Sequence, residues 1–411
     1  MSGQALAARH ITLDALRGFA VMGILAMNIV AFALPEWAYV APGTYGGDSF
    51  ADRASWLFSF IFIDGKMRGL FSLLFGASMA LIIGRAQAKG ESPARVHYAR
   101  MFWLLLFGFA HYLFIWWGDI LFLYAVIGCI AYLFHKWEAR RLIIWALIIY
   151  GLGFLLYALQ FGGLQYLQFA ASLPGADAET VKRYQEVLAD PQLSLDASEE
   201  IAAYAGGYAG IVARRWNEVV HLLALVPQSI SETLPLMMLG MALKKNGFLT
   251  GEWARADYVG WERKLLLPGV AISAALGLWI AATGFDMITT LAGFLAWSMV
   301  PRLLMTIGYA SLLILLIKDR AASGLIGRVA AAGQAAFTNY LGTSILMSTI
   351  FYGYGLGLYN QLGRASLWFF VFGAWALMLL WSRPWLARFH YGPLEWLWRS
   401  LARGSLQPFR K

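Results

Sequence analysis

The amino-acid sequence predicts an all-α integral membrane protein whose chain crosses the lipid bilayer about ten times. Of its 411 residues, 60% are hydrophobic and only 13% are charged, whereas about a quarter of the residues in a soluble domain are charged. Apolar runs of membrane-spanning length recur along the chain, and the loops between them are basic and acidic by turns. These observations exclude a soluble fold, because the chain lacks the polar surface to cover itself in water.

Ten apolar runs approach the length of about 20 residues that a helix needs to cross the hydrocarbon core. They cover approximately residues 16–34, 66–83, 101–117, 120–134, 142–161, 222–243, 265–283, 301–317, 334–351 and 367–381. A further apolar stretch, 287–300, adjoins one of these runs through Pro301, and it predicts a re-entrant or tilted half-helix. The sequence shows no convincing internal repeat. We therefore expect residues 1–411 to form a single transmembrane domain.

The charges of the loops predict which side of the membrane each loop occupies. Lys and Arg gather in every second loop, at 85–100, 136–141, 244–264 and 318–328, and again in the tail. The other loops carry mainly Asp and Glu, for example at 177–200. Since cytoplasmic loops hold the excess of Lys and Arg, both termini are predicted to be cytoplasmic.

Composition also limits the partners and cofactors. The net charge of +9 is explained by the basic cytoplasmic loops, so the expected partner is the lipid bilayer and not nucleic acid. Cys129 is the only cysteine, which excludes a disulfide framework and a thiolate metal site. The six histidines are too scattered to predict a metal site or a pair of haem ligands.

Two segments are polar enough to lie outside the hydrocarbon core. Residues 162–218 form the long polar stretch on the outer side, and 202–220 is predicted to be a helix lying in the interface, with Arg215 on its polar face. The segment 384–411 is predicted to be a cytoplasmic amphipathic tail. Its helix should start at Pro393, and two of its arginines should face lipid phosphates, namely Arg399 and Arg403.

The first span, within "HITLDALRGFAVMGILAMNIVAFALPEW", carries Asp14, Arg17 and Asn28. Arg17 and Asn28 are eleven positions apart, so on a helix they share one face at a distance of about 16 Å. Polar groups in an apolar span are costly and mark candidate sites. The plain alternative is that Arg17 snorkels to the interface and Asn28 bonds a neighbouring helix.

Four further spans carry polar candidates. Lys66 and Arg68 enter the second span from the outer side, where a belt of snorkelling residues is the alternative. His111 lies near the outer end of the third span and Asp119 follows at a short turn, although a membrane histidine can also serve helix packing alone. The remaining candidates are Glu232, in the middle of a span interrupted by two prolines, and the pair Asn339 and Tyr340.

Five stretches of the chain resemble the YeiB-like family of bacterial membrane proteins. They read "LDALRGFAVMGILAMNI", "GKMRGLFSLLFGASMAL", "HYLFIWWGDILFLYA", "FTNYLGTSILMSTIFYGYGLGLY" and "GPLEWLWRSL". The likeness covers nearly the whole chain, and the last stretch is quite specific. This resemblance implies a multi-pass protein of the bacterial inner membrane.

The opening stretch also resembles the wider transmembrane acyltransferases, including heparan-alpha-glucosaminide N-acetyltransferases and glucan succinyltransferases. The resemblance implies transfer of an acyl group from cytoplasmic acyl-CoA to a hydroxyl or amine of a sugar or lipid head group at the outer face. Arg17 matches the arginine of that motif. Asn28 stands where many sugar O-acyltransferases carry a histidine and the glucosaminide acetyltransferases an asparagine. The histidine that follows this asparagine is missing from "EWAYVAPGTYGG", so His111 is predicted to supply the base.

On this reading, Arg17 binds the phosphates of acyl-CoA together with basic loop residues. His111 takes the proton of the acceptor, Asp119 orients the imidazole, and Asn28 stabilises the oxyanion. Further residues are predicted to contribute to substrate binding, namely Asp14, Lys66, Arg68, Glu232, Asn339 and Tyr340. The alternative is a transporter or lipid flippase with a midplane site around Glu232. A third possibility is a non-catalytic sensor or assembly partner, and a homo-oligomer is compatible with each.

Overall fold

The computed structural model describes residues 3–190, 193–320 and 323–411, with side chains from Ile11 onward. Within these ranges the chain is helical and no residue belongs to a β-strand. The helices are α1 (Gly3–Ala33), α2 (Phe50–Phe62), α3 (Lys66–Ala88), α4 (Pro93–Phe114), α5 (Leu121–Tyr132), α6 (Ala139–Ser172), α7 (Ala178–Leu188), α8 (Ser198–Ala205), α9 (Tyr208–Asn217), α10 (Val219–Lys245), α11 (Arg255–Ala282), α12 (Met287–Ala292), α13 (Met299–Asp319), α14 (Gly324–Gln334), α15 (Ala336–Phe351), α16 (Leu367–Arg388) and α17 (Pro393–Arg403).

Each of the ten predicted runs falls on a helix, and seven helical segments of the described chain are long and apolar enough to cross a membrane. These are Ile11–Ala33, Phe50–Ala88, Ala139–Ser172, Val219–Lys245, Arg255–Ala282, Met299–Asp319 and Arg364–Arg388. Two other predicted spans are shorter, since α5 has 12 residues and α15 has 16. The prediction of an all-α, multi-pass membrane protein is confirmed, whereas the sidedness of the loops stays a prediction.

A helix that the hydropathy pattern did not predict, α2, precedes the second span. It ends at a turn through Gly65, which has a φ of 74°. Just after this turn, Met67 packs against Gly23, which lies about 15 Å along α1 from the end of that helix. Lys66 and Arg68 therefore enter the bundle well inside the predicted membrane, and not at its outer boundary. The alternative of a snorkelling belt does not fit this depth.

The apolar stretch 287–300 is helical and runs on into α13. A π-helical turn, Gly293–Trp297, connects α12 to α13. Pro301 lies in the first turn of α13, a position at which proline is tolerated. The predicted half-helix is thus the beginning of one long helical stretch with a π-bulge.

The polar segment 162–218 differs from its prediction, because the proposed interfacial helix 202–220 is divided. The chain breaks at Gly206 between α8 and α9, and α10 begins before the predicted helix would end. Arg215 is 1% exposed and does not lie at a lipid surface. Its Nη1 donates to the carbonyl oxygen of Leu113 at 3.4 Å, so α9 covers the end of α4.

The predicted tail 384–411 starts inside α16, which continues to Arg388, and the amphipathic helix of the tail is α17. This helix begins at Pro393, as predicted. Glu395 in its first turn caps α15, since Oε1 accepts a hydrogen bond of 2.6 Å from the backbone N–H of Phe337. Burial raises the pKa of the Glu395 carboxyl. This contact fixes α17 against the bundle.

Glycines allow α3 and α10 to approach backbone to backbone. A Cβ placed on Gly76 would lie 2.0 Å from the carbonyl oxygen of Met237, and one on Gly240 would lie 1.9 Å from that of Leu73. Small residues at a helix interface are a common way to pack membrane helices closely. The contact sets the distance between the side chains that α3 and α10 direct toward each other.

Gly76→Ala is therefore expected to lower the free energy of unfolding by about 1–3 kcal/mol, because the added methyl group overpacks the contact. Thermal unfolding in detergent measures the change. Gly84→Ala is the matched control on the same helix, since no atom lies within 4 Å of its added Cβ; it should keep or slightly raise stability. Equal losses in both variants would contradict the close approach of α3 and α10.

Candidate functional site

A cavity of about 220 Å³ opens at the basic end of the bundle, which carries α17 and the loop between α3 and α4. Its walls come from α1, α3, α4, α5, α14, α15 and α17, and most lining side chains are apolar, such as Phe71, Leu74, Met101 and Leu121. Four arginines also line it, namely Arg17, Arg85, Arg100 and Arg399. We call this space the apolar cavity.

A second space of about 810 Å³, which we call the basic basin, adjoins the apolar cavity. Ile82, Arg85, Arg100 and Arg399 line both spaces, so the two are direct neighbours. The charged residues of the basin are Arg85, Lys89, Glu91, Arg95, Arg100, Arg399 and Arg403. With six basic side chains against one carboxylate, the basin has a positive potential that attracts anionic groups.

Two of the arginines between the spaces are held by aromatic rings. The guanidinium carbon of Arg100 lies 4.0 Å from the ring centroid of Trp398, and that of Arg399 lies 4.3 Å from Tyr391. Such cation–π contacts fix the direction of a guanidinium while leaving its N–H groups available. Arg399 and Arg403 line the basin, and contact of these two arginines with lipid phosphates stays a prediction.

Arg17 lies in the wall of the apolar cavity, where its neighbours orient it. Its Nη2 is 3.0 Å from Oδ1 of Asp14, one turn earlier on α1. The other carboxylate oxygen of Asp14 accepts a hydrogen bond of 3.0 Å from Gln334, which also lines the cavity. Asp14 therefore acts on the site through Arg17, while Arg17 faces the space directly.

His111 and Asp119 meet at the opposite end of α4, where the turn before α5 folds back on the helix. Nδ1 of His111 lies 2.7 Å from Oδ2 of Asp119, and the two side chains are 1% and 0% exposed. Oδ1 of Asp119 accepts the backbone N–H of Phe122 at 2.7 Å. A neutral ring that donates from Nδ1 leaves the lone pair on Nε2, and this atom is buried without a hydrogen-bond partner.

Tyr340 connects His111 to the apolar cavity. Its side chain lines the cavity, and its ring centroid lies 5.2 Å from that of His111. His111 and Asp119 do not line the cavity themselves. The pair is thus separated from the cavity by a single aromatic ring.

Asn28 is buried, at 6% exposure, but it does not line the apolar cavity. It lies one turn before Phe32 on α1, and the ring of Phe32 stacks on Trp116 at 4.0 Å. Asn28 is therefore placed toward the His111 end of the bundle. Arg17 lines the cavity and Asn28 does not, so the two residues lie in different environments at opposite ends of α1.

Glu232 is held between two arginines in the middle of α10. Its Oε2 lies 2.6 Å from Nη2 of Arg68, and its Oε1 lies 3.0 Å from Nη1 of Arg302. Arg302 also donates to Ser298 and to the carbonyl oxygen of Phe294. Both carboxylate oxygens are engaged, so in this conformation Glu232 joins α3, α10 and α13 and offers no free oxygen to a ligand.

Two other residues predicted for substrate binding make structural contacts. Lys66 is 1% exposed, and its Nζ donates to the carbonyl oxygen of Phe60, which closes the turn between α2 and α3. Asn339 donates to Ala332 and accepts the indole N–H of Trp381 at 2.9 Å. These bonds join α14, α15 and α16 near the cavity.

Sequence reasoning missed two residues. Arg302 was not singled out, although an arginine directly after Pro301 in an apolar run is a signal for a buried charge. His97 was not singled out either, but it is 2% exposed and lines the apolar cavity, with Nε2 at 3.0 Å from the carbonyl oxygen of Gly128. The apolar run that begins at Met101 gave no reason to extend α4 back to it.

The fold and these spaces define a multi-pass membrane protein with an internal apolar cavity beside a basic basin. The chain belongs to the family of YeiB-like membrane proteins. It is 31% identical to the uncharacterized protein YeiB of Escherichia coli (strain K12) over 404 residues, covering 97% of this chain and 98% of that one. It is also 29% identical to the uncharacterized protein YxaH of Bacillus subtilis (strain 168), over 97% of this chain and 95% of that one.

The family described as "Protein of unknown function (DUF418)" matches residues 243–405. The matched region runs from the end of α10 through α17, so it includes Tyr340, Arg399 and Arg403. No solved structure matches the chain.

Proposed function

We propose that this protein is a membrane-embedded acyltransferase, which takes an acyl group from acyl-CoA on the cytoplasmic side and places it on a hydroxyl or amine acceptor at the outer face. One observation carries the proposal. The apolar cavity adjoins a basic basin and is lined by Tyr340, and Tyr340 contacts a buried histidine that a carboxylate orients. The cavity proposed for acyl-CoA and the candidate base His111 thus lie on two sides of Tyr340.

The chemistry of the two spaces suits the two parts of an acyl-CoA. The phosphates carry several negative charges, and the arginine forks of the basin can bind phosphate oxygens in pairs. The pantetheine arm and acyl group are less polar, and they match the apolar walls of the inner cavity. Arg17, Arg100 and Arg399 at the junction would hold the phosphates while the thioester extends inward.

The reaction needs one base and one orienting group. Nε2 of His111 takes the proton of the acceptor hydroxyl or amine as the new bond to the acyl carbon forms. The carbon–sulfur bond then breaks, and the proton passes to the departing thiolate, so the products are the acylated acceptor and free CoA. Asp119 holds the imidazole through Nδ1, which is the arrangement by which a carboxylate orients a catalytic histidine.

The transporter or flippase around Glu232 remains the alternative from the sequence. A site there would have to release the Glu232 carboxylate from both Arg68 and Arg302 before it could bind a cation. No contact in the described chain favours that step.

CoA binding by the purified protein tests the proposal. A ligand that binds only the folded state raises its stability by RT ln(1 + [L]/Kd), which is about 2.7 kcal/mol at a hundredfold excess over Kd. We therefore expect CoA and acetyl-CoA to raise the melting temperature, and acetyl-CoA to release free thiol slowly. High salt should reduce the shift, because the contacts with phosphates are electrostatic. No shift and no thiol release would contradict the proposal.

Arg17→Ala is expected to weaken CoA binding roughly ten- to hundredfold, because a hydrogen bond to a charged group contributes about 1.5–3 kcal/mol. Turnover at saturating donor should change less, since a phosphate contact is made equally in the ground and transition states. Thermal titration with CoA and the rate of thiol release measure the two effects.

Arg255→Gln is the control for this prediction. Arg255 is an exposed arginine at the beginning of α11, where it pairs with Asp319. It should bind CoA as the wild type does. Loss of turnover with unchanged CoA affinity in Arg17→Ala would remove Arg17 from the donor site.

A further inference from the structure

Tyr340 lies between the apolar cavity and His111, the histidine that the proposed function makes the base. Its side chain lines the apolar cavity and packs on His111 with ring centroids 5.2 Å apart. It is 4% exposed, so water reaches it poorly. A hydrogen-bond donor in such dry surroundings stabilises a developing charge more strongly than one in water does.

The hydroxyl of Tyr340 has a donor directed at it but no acceptor. Its Oη accepts the backbone N–H of Ile120 at 3.4 Å, at the beginning of α5. Within the described part of the chain, no hydrogen bond is donated by this hydroxyl. An N–H at the beginning of a helix polarises the oxygen that it contacts and makes its proton a better donor.

Tyr124, the other tyrosine in the cavity wall, differs in this respect. Its hydroxyl lies 2.6 Å from Oγ of Ser72, and Ser72 in turn donates to the carbonyl oxygen of Arg68 at 2.9 Å. The Tyr124 hydroxyl can also donate to that carbonyl oxygen, at 3.3 Å, so its proton has an acceptor within the protein. Of these two cavity tyrosines, Tyr340 is therefore the one whose proton is available.

We propose that Tyr340 is a catalytic residue, the donor that stabilises the oxyanion of the acyl group during transfer. The acceptor oxygen or nitrogen bonds to the acyl carbon, and the carbonyl electron pair moves to oxygen, where the Tyr340 O–H binds it. When the pair returns, the carbon–sulfur bond breaks and CoA thiolate leaves. This role rests on the proposed acyl transfer and replaces the one that the sequence suggested for Asn28.

The position of Asn28 supports the assignment of the oxyanion donor to Tyr340 in place of Asn28. An oxyanion donor must lie about 2.7–3.1 Å from the oxygen that becomes charged. That oxygen belongs to the donor, which the apolar cavity would hold, and Asn28 does not line the cavity. Tyr340 does, and it also touches His111.

Tyr340→Phe removes the hydroxyl and keeps the ring. We expect kcat for thiol release or acyl transfer from acetyl-CoA to fall roughly a hundred- to thousandfold, the loss typical of removing one oxyanion donor. KM for acetyl-CoA and the CoA-induced rise in melting temperature should stay within about twofold, because the phosphate contacts are elsewhere and a hydrogen bond to the uncharged thioester carbonyl contributes little to binding. The infrared carbonyl band of bound ¹³C-labelled acetyl-CoA should shift to higher frequency in the variant, since it loses a hydrogen bond.

Tyr309→Phe is the matched control, because it also removes a part-buried tyrosine hydroxyl. That hydroxyl donates to the carbonyl oxygen of Phe62, and Tyr309 does not line the cavity. It should leave kcat and the carbonyl band unchanged. If the wild type were active and Tyr340→Phe had the same kcat, the role of Tyr340 would be wrong and the proposed acyltransferase would be unaffected. A wild type that neither binds CoA nor releases thiol would overturn both.

Discussion

His111→Gln should reduce acyl transfer about a hundred- to ten-thousandfold, the contribution typical of a positioned general base. The glutamine amide can still donate to Asp119 and fill most of the imidazole volume, but it cannot take a proton. Folding and the CoA-induced rise in melting temperature should therefore remain close to those of the wild type. The rate of thiol release from acetyl-CoA, with and without a lipid extract as acceptor, measures the loss.

His135→Gln is the control for this prediction. His135 lies at the basic end of α5, where its Nδ1 contacts the carbonyl oxygen of Tyr132, and it does not line the apolar cavity. This variant should keep full activity. If His111→Gln retained near-normal activity as well, the buried histidine would be a packing residue and transfer would need another base.

Glu232→Ala should lower the free energy of unfolding by about 3–5 kcal/mol, because it leaves Arg302, whose side chain is only 7% exposed, buried without its counter-ion and removes the partner of Arg68 as well. Chemical or thermal unfolding in detergent gives the change. Asp319→Ala breaks the exposed pair with Arg255, whose side chains are 47% and 65% exposed, and it should cost less than about 1 kcal/mol.

A triple variant separates a missing counter-ion from a general packing defect. Arg68→Met, Glu232→Leu and Arg302→Met together remove all the charges, and apolar side chains of similar size can replace a buried ion pair without loss of stability. We expect the triple variant to regain most of the stability that Glu232→Ala loses. If Glu232→Ala were as stable as the wild type, the three-helix link described for Glu232 would be incorrect.

The sequence predicted the spans well because a membrane imposes length and apolarity on every helix that crosses it. It did not predict α2, since Asp52 and Arg53 interrupt the apolar pattern there. The depth of the following turn depends on Gly23 packing against Met67. That contact joins residues far apart in the chain, and hydropathy carries no information about it.

The candidate site was predictable where its parts are close in sequence. His111 and Asp119 are separated by a short turn, and their predicted proximity is confirmed by the 2.7 Å contact. Glu232 and Arg302 are 70 positions apart in the sequence, and nothing in a single sequence indicates that they pair. Arg399 was predicted to face lipid phosphates and lines the basic basin, because periodicity alone cannot distinguish a lipid surface from a basin in the protein.

If the apolar cavity holds the acyl group of the proposed donor, its size limits the length of the acyl chain. Each methylene group removed from water contributes about 0.8 kcal/mol, or close to fourfold in affinity. A cavity of about 150 Å³ holds a benzene molecule, so about 220 Å³, which also has to admit the thiol end of the pantetheine arm, leaves room for only a short acyl chain. Affinity for the donor should rise with each carbon of a short acyl chain and stop rising once the space is full, which would make the protein selective for short chains by volume alone.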